Sequence, residues 1–154
     1  MIGLSFVEVM QGTLHLDGER FDRPFGFKLD VAAPDVTKIV TSTAVGQAAG
    51  RLTADGFASD VPATGRLEMS PIKNRTLRYV LDFTSDDGRR CTFDGHKTIR
   101  WLSAISSWTT LPGDVADEHG KHVADAVLRF SLRRDLGALL KSSRLPRAKA
   151  PSTA

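Results

Sequence analysis

The sequence has one cysteine, Cys91, and no hydrophobic run long enough to cross a membrane. A single cysteine cannot form an internal disulfide bond, which is typical of proteins in a reducing compartment, so we expect a cytoplasmic protein. A membrane-spanning helix needs about 18 or more apolar residues in a row, so no transmembrane segment is expected. No basic segment followed by an apolar segment opens the chain, and a secretory leader is therefore not expected either.

The sequence also lacks the short motifs that mark several common enzyme classes. It contains no Gly-x-Gly-x-x-Gly, no Gly-x-x-x-x-Gly-Lys-Ser/Thr, no Gly-x-Ser-x-Gly and no His-Glu-x-x-His. The usual marks of dinucleotide binding, nucleoside-triphosphate binding, serine hydrolysis and zinc proteolysis are therefore missing. We expect no cofactor and no metal, and a protein without catalytic activity is favoured over an enzyme.

The balance of apolar and charged residues is that of a folded domain. Hydrophobic residues make up 41% of the 154 residues and charged residues 25%, so one domain with a single core is predicted over residues 1–145. Six basic residues stand against Asp135 between residues 133 and 154, so this segment carries a charge of +5 and residues 1–132 carry −2, for a net charge of +3. Residues 146–154 are predicted to be a disordered basic tail. Few aromatic residues lie among these charges, so no nucleic-acid partner is expected.

Apolar residues alternate with polar ones along much of the chain. The alternation is clear at residues 25–31, 77–83, 91–99 and 128–132. Successive side chains of a β-strand point to opposite faces, so these segments predict strands with one buried and one solvated face. Burial on one face favours antiparallel sheet, because parallel sheets are usually covered on both faces.

Turn residues separate these segments. Asp-Gly pairs occur at 17–18, 55–56, 87–88 and 94–95, and Asp-Gly suits tight turns because both residues tolerate a positive φ angle. A hairpin turn is predicted at residues 85–88. The pair at 94–95 falls within a strand pattern, so a β-bulge or sharp coiling of the strand is expected there.

Together these signals predict an all-β fold. The strands are predicted near 4–11, 13–17, 20–32, 46–54, 62–70, 75–84, 89–101 and 123–132, with a further strand at 107–112 as an option. A short helix is predicted within 34–40 and another, near the C-terminus, at 133–143. About eight twisted strands favour closure, so we predict an antiparallel, lipocalin-like β-barrel, with a two-sheet β-sandwich as the alternative.

Several side chains are candidates for chemistry or binding. Asp94 and His96 fall on the same face of one strand and could form an acid–base pair, so they are the candidate catalytic residues. Trp101, Trp108 and Tyr79 are the candidate ligand-binding residues, since tryptophans over a barrel mouth could close an apolar pocket. They could equally be ordinary core residues.

The segment His119-Gly120-Lys121-His122 resembles half of a metal site. Asp114, Asp117 and Glu118 could add oxygen ligands to it. The favoured interpretation, however, is a polar hairpin loop, because Gly120 argues against the helix that would bring both histidines to one side.

The order of residues resembles an accessory β-domain of bacterial flavin oxidoreductases of the glucose–methanol–choline type, in the cholesterol-oxidase-like group. The resemblance rests on Phe6-Val7-Glu8-Val9-Met10-Gln11-Gly12, on residues 73–83 with Asp87-Gly88-Arg89, on residues 93–97 and 108–111, and on Leu128-Arg129-Phe130. It implies an association with lipid or steroid oxidation and a flavin oxidoreductase as partner. It does not imply that this chain itself oxidises a substrate.

These observations favour an accessory or binding β-barrel that takes up a hydrophobic small molecule such as a lipid or steroid. Two alternatives remain open. One is a small barrel enzyme that uses Asp94 and His96, and the other is a docking module without a ligand. The sequence predicts no particular oligomeric state.

Overall fold

A computed structural model describes residues 3–35, 37–70, 72–98 and 110–129. These residues form eight antiparallel strands that close into one barrel. The strands are β1 Leu4–Leu16, β2 Arg23–Ala33, β3 Ala44–Ala54, β4 Ala58–Ser70, β5 Thr76–Thr84, β6 Arg90–Thr98, β7 Thr110–Asp117 and β8 His122–Arg129. One helical turn, α1 Lys38–Thr41, lies between β2 and β3. The predicted antiparallel barrel is therefore confirmed, and the two-sheet sandwich is not what forms.

Each strand pairs with its neighbours in sequence, and β8 closes the barrel by pairing with β1. The barrel has two different ends. At the hairpin end lie the connections 17–22, 55–57, 85–89 and 118–121. At the upper end β1 begins, α1 lies between β2 and β3, and residues 72–75 lie between β4 and β5. The C-terminal helix predicted at 133–143 and the tail at 146–154 lie outside the described residues.

Several strand bounds differ from the prediction, since β2 begins at Arg23 instead of residue 20 and β4 begins at Ala58 instead of residue 62. The segments 4–11 and 13–17 are one strand, because Gly12 continues the ladder and pairs with both Phe25 and Leu128. Glycine usually weakens a strand, but here a Cβ atom would lie only 1.8 Å from the carbonyl oxygen of Val127. The optional strand at 107–112 is a full member of the barrel and runs from Thr110 to Asp117.

The predicted hairpin at residues 85–88 is present. Gly88 has a φ angle of 88° and donates its backbone N–H to the Ser85 carbonyl at 2.9 Å. Asp94-Gly95, by contrast, causes no bulge, since the ladder runs through both residues without a shift. The ring of Phe93 takes up the space that a Cβ atom at Gly95 or Gly113 would fill, at 2.6 Å in both cases.

The core occupies the interior of the barrel, where the inward-facing residues of all eight strands meet. Phe93 lies at its centre, with ring centroids 5.6 Å from Phe25 and 6.0 Å from Phe27. Leu81 and Phe83 on β5 are buried as predicted, and Arg78 and Asp82 on the same strand are exposed. Cys91 is a buried free thiol, and burial raises its pKa.

Candidate functional site

A polar pair, Glu8 and Tyr79, lies within the largely apolar interior of the barrel. Phe6 and Met10 of β1 face the core, and Glu8 lies between them on the same face of the strand. Tyr79 of β5 is 6% exposed, and its hydroxyl forms a hydrogen bond with the Glu8 carboxylate. Burial raises the pKa of Tyr79 well above its usual value, and the negative charge of Glu8 adds to the effect. The phenol is therefore the donor in this bond.

The Glu8–Tyr79 hydrogen bond crosses the inside of the barrel. β1 and β5 are not neighbours in the closed sheet, so the bond joins opposite walls. Phe27 packs against the Tyr79 ring, with centroids 6.1 Å apart, and it also contacts Phe93. The pair thus borders the aromatic core on one side. On the other side it borders the inward-facing residues nearer the upper end.

Those residues include a lysine. Lys97 shares the inward face of β6 with Cys91 and Phe93, and it pairs in register with Leu77 of β5. Its ammonium group donates a hydrogen bond to the Thr110 carbonyl at 2.7 Å. Partial burial lowers the pKa of Lys97, because the charged form is less well solvated there.

We call this part of the barrel the upper interior face. It consists of Phe6, Glu8, Met69, Leu77, Tyr79 and Lys97. The face combines apolar side chains with a few polar groups that point inward. This combination is typical of sites that bind small apolar molecules and fix their orientation.

The predicted pair Asp94 and His96 lies elsewhere, on the outer surface of β6. The two residues share a face, as predicted, and His96 is exposed. Both carboxylate oxygens of Asp94 accept hydrogen bonds from Arg78, at 3.0 and 2.6 Å. These bonds lower the pKa of Asp94. Trp101 and Trp108 lie outside the described residues, so Tyr79 is the one predicted ligand-binding residue that the structure places.

The histidine segment forms the turn between β7 and β8. The structure separates its two histidines, because His119 lies in the loop and His122 begins β8. Asp117 accepts hydrogen bonds from the backbone N–H groups of His119 and Lys121, which lower its pKa. The predicted polar hairpin loop is therefore what the described residues form.

His122 is surrounded by carboxylates on the outer wall. Its Nδ1 lies 2.7 Å from Asp17, and its Nε2 lies 3.0 Å from Asp125 and 3.4 Å from Asp114. Ligand atoms of His122, Asp114 and Asp125 lie within 4.8 Å of one another, a spacing that could hold a metal ion. The hydrogen bonds to Asp17 and Asp125 raise the pKa of His122 to about 9, so the imidazolium itself supplies the positive charge at neutral pH.

A bulge in β8 brings these side chains together, and no pattern in the sequence predicted it. Val115 pairs with Ala124, but the next residue, Ala116, pairs with His122. Val123 is therefore extra on β8, and both Val123 and Ala124 are buried. His122 and Asp125 consequently share the outer face, although a regular strand would place residues three apart on opposite faces.

We predict that His122 makes the stability of the protein depend on pH. Its pKa is about 9 in the folded chain, above the value near 6.5 expected when unfolded. The stabilisation is therefore fully present below about pH 6.5 and is lost as the pH rises through 9. The ring is 42% exposed, so we expect a contribution below about 1 kcal/mol. Urea unfolding at several pH values should show the H122Q variant less stable than the parent at pH 6 and equal to it at pH 10.

The matched control is H119Q, because His119 is 82% exposed and lies outside the carboxylate cluster. The H119Q variant should have the same free energy of unfolding as the parent at every pH. A difference between H122Q and the parent that stays constant from pH 6 to pH 10 would contradict the prediction.

Sequence reasoning missed Glu8 and Lys97, although a signal for both was present. Each residue has the strand parity of buried apolar neighbours, Phe6 and Met10 for Glu8, and Cys91 and Phe93 for Lys97. A charged residue on the apolar parity of a predicted strand is unusual and points to an interior polar group. The same alternation that predicted the strands could therefore have identified both.

Comparisons with protein-family models, with curated proteins and with solved structures found no match to this chain. Among the described residues, none of the helical structure is long and apolar enough to cross a membrane.

Proposed function

We propose that this protein is a binding β-barrel that takes up a small hydrophobic molecule, of the lipid or steroid class, at its upper interior face. The observation that supports the proposal is the Glu8–Tyr79 hydrogen bond inside an apolar barrel interior. Buried polar groups are costly unless they are paired, and a few inward polar groups among apolar walls suit the orientation of an apolar ligand. An eight-stranded barrel is wide enough to hold one small ligand.

The proposal extends to the biological setting. We propose an accessory role beside a flavin oxidoreductase that acts on lipids or steroids, in a cytoplasmic location. The resemblance in residue order supports the first part, and the lone buried thiol of Cys91 is consistent with the second. Asp94 and His96 receive no role in this proposal, since they lie on the outer wall and Arg78 binds both oxygens of Asp94.

The expected affinity is modest. A ligand that buries about 300 Å² of apolar surface gains on the order of 7 kcal/mol before the costs of association. Micromolar binding is therefore expected, with tighter binding only where polar groups are well placed.

Blocking the upper interior face tests the proposal. Leu77 lies on this face and is partly buried, so L77W should fill space that the ligand needs. We expect the affinity of the full chain for the neutral apolar dye Nile red, and for sterols that displace it, to fall about tenfold or more, the effect of about 1.4 kcal/mol. Dye fluorescence titrations would measure this.

The matched control is V45W. Val45 is 39% exposed on the outer side of β3, so its replacement should change the affinity less than about twofold, the effect of a few tenths of a kcal/mol. An equal loss in both variants, or no binding by the parent protein across a panel of lipids and steroids, would reject the proposal in favour of a docking module.

A further inference from the structure

We propose that His122, Asp114 and Asp125 form a binding site for a divalent transition-metal ion such as Zn²⁺ on the outer wall of the barrel. The three residues offer one imidazole nitrogen and two carboxylate oxygens, and these ligand atoms lie within 4.8 Å of one another. All three side chains are exposed on the outer face of β7 and β8. The site is therefore separate from the upper interior face and goes beyond the function proposed for it.

The register between β7 and β8 brings the two carboxylates together. Asp114 pairs directly with Asp125 across these strands, and like charges at opposite positions destabilise a sheet. The bulge in β8 adds His122 to the same outer face. The metal site considered from the sequence combined His122 with His119 and did not include Asp125, so this proposal differs from the sequence-based expectation of no metal.

The charges around His122 are unbalanced. Its imidazole forms ion pairs with Asp17, Asp114 and Asp125, and within the described part of the chain it is their only basic partner. Three negative charges therefore share one imidazolium, which leaves an excess of two. A divalent ion bound to the neutral imidazole would leave an excess of one. Electrostatic attraction thus favours the ion over the proton.

The distances in the cluster fit a bound metal ion. Nε2 of His122 lies 3.0 Å from a carboxylate oxygen of Asp125 and 3.4 Å from one of Asp114. Two ligand atoms bound at about 2.0–2.1 Å to a tetrahedral ion lie about 3.3 Å apart, which is close to both values. Without a metal ion, a proton on Nε2 lies between these atoms. The ion would take its place, with release of that proton.

Asp17 holds the imidazole in the orientation that this site needs. Its carboxylate lies 2.7 Å from Nδ1 of His122, so Nδ1 donates its proton to Asp17 and Nε2 is left as the metal ligand. Metal-bound histidines almost always donate their other ring N–H in this way. Asp17 is therefore a positioning residue. It lies between β1 and β2, so the site would join β7, β8 and this connection.

The ligand set indicates a transition-metal ion instead of Mg²⁺ or Ca²⁺. Imidazole suits Zn²⁺ and its neighbours in the first transition row, whereas Mg²⁺ and Ca²⁺ prefer oxygen ligands alone. Three protein ligands leave a position open to water, which is accessible because the carboxylates of Asp114 and Asp125 are each 66% exposed. We therefore expect weaker binding than in closed structural sites with four protein ligands, with a dissociation constant in the micromolar range.

Calorimetric titration of the full chain with zinc chloride tests the proposal, at about pH 8 so that the proton on the imidazole competes less. We expect one Zn²⁺ per chain. H122Q and D125N each remove a ligand and should weaken binding about tenfold or more, and D17N should weaken it about tenfold to a hundredfold, the usual effect of losing the partner of a metal-bound histidine. The matched controls are H119Q and D30N, because Asp30 is a single exposed carboxylate on the outer face of β2. Both should bind like the parent.

Nitrogen NMR of the histidine rings gives a second readout, which a merely electrostatic role of the cluster would not change. The signals missing from H122Q identify those of His122. In the parent protein Zn²⁺ should shift the Nε2 signal of His122 strongly while Nδ1 stays protonated. This pattern would assign Nε2 as the ligand and Asp17 as the acceptor from Nδ1.

Several outcomes would overturn the proposal. They are the absence of saturable Zn²⁺ binding by the parent, equal binding by H122Q and the parent, and loss of binding in H119Q instead of H122Q. Displacement of Zn²⁺ by Mg²⁺ or Ca²⁺ at equal concentration would show a general cation site of carboxylates and would also overturn it. Near-ultraviolet circular dichroism of each variant confirms that a loss of binding does not come from a loss of the fold.

Discussion

Replacing Phe93 by alanine should lower the free energy of unfolding by about 3 to 5 kcal/mol, the typical cost for a large aromatic residue in a packed core. Phe93 has no exposed surface, and its ring lies close to those of Phe25 and Phe27. It also covers Gly95 and Gly113, which have no side chains to fill the space it would leave. The cavity would therefore stay open instead of collapsing, which places the cost toward the upper part of this range.

Urea unfolding followed by circular dichroism would measure the loss. F21A is the control, because Phe21 is 57% exposed and its ring contacts only the Arg23 guanidinium among the described aromatic and cation–π contacts. We expect it to cost about 1 kcal/mol or less. Equal losses in the two variants would show that Phe93 is not the centre of the core.

Adding one methyl group at Gly65 should destabilise the barrel by at least about 3 kcal/mol, at the upper end of the cost of overpacking. A Cβ atom there would lie 1.8 Å from the carbonyl oxygen of Val80 and 2.8 Å from its carbonyl carbon. These are backbone atoms of the neighbouring strand. Gly65 pairs with Ala48 on one side and with Leu81 on the other. Removing the steric clash would therefore require the hydrogen-bonded ladder to shift.

G46A is the matched control, also on the inward side of the sheet. There the nearest atom to an added Cβ is the side-chain Cγ1 of Val31 at 2.8 Å, with the next atom at 3.6 Å. A side chain can move more easily than a ladder, so we expect G46A to cost about 1 kcal/mol or less, partly offset by the lower entropy of the unfolded chain. Thermal unfolding that ranks G46A below G65A in stability would contradict this explanation.

The alternation of apolar and polar residues predicted most of the strands, because one face of each strand is buried and the other is solvated. Leu81 and Phe83 are buried and Arg78 is exposed for this reason. The exception is Val80, which shares the parity of the exposed residues but is only 8% exposed. Its cross-strand neighbours are Arg66 and Asp94, and the burial of a residue by neighbouring strands cannot be predicted from the alternation of one strand alone.

Turn chemistry predicted the hairpin at 85–88, but the bulge that it suggested at 94–95 is absent, although both segments contain Asp-Gly. A glycine in a turn and a glycine beneath an aromatic ring have the same local sequence signal. What separates them is the position of Phe93 over Gly95 and Gly113, a contact between two strands. The continuous β1 was missed for a related reason, since Gly12 is required by the approach of Val127 on β8.

By itself, the sequence determined most of the antiparallel strands, the hairpin at 85–88 and the all-β class, because side-chain alternation and turn residues act over a few positions. The choice of a closed barrel over a two-sheet sandwich was decided by the pairing of β8 with β1. Only the tertiary structure decided which polar groups meet. Glu8 and Tyr79 lie on opposite walls and come together through closure of the barrel. His122 and Asp125 share a face through a bulge that depends on the pairing of β8 with β7. Both arrangements depend on register between strands, which side chains on several strands fix jointly.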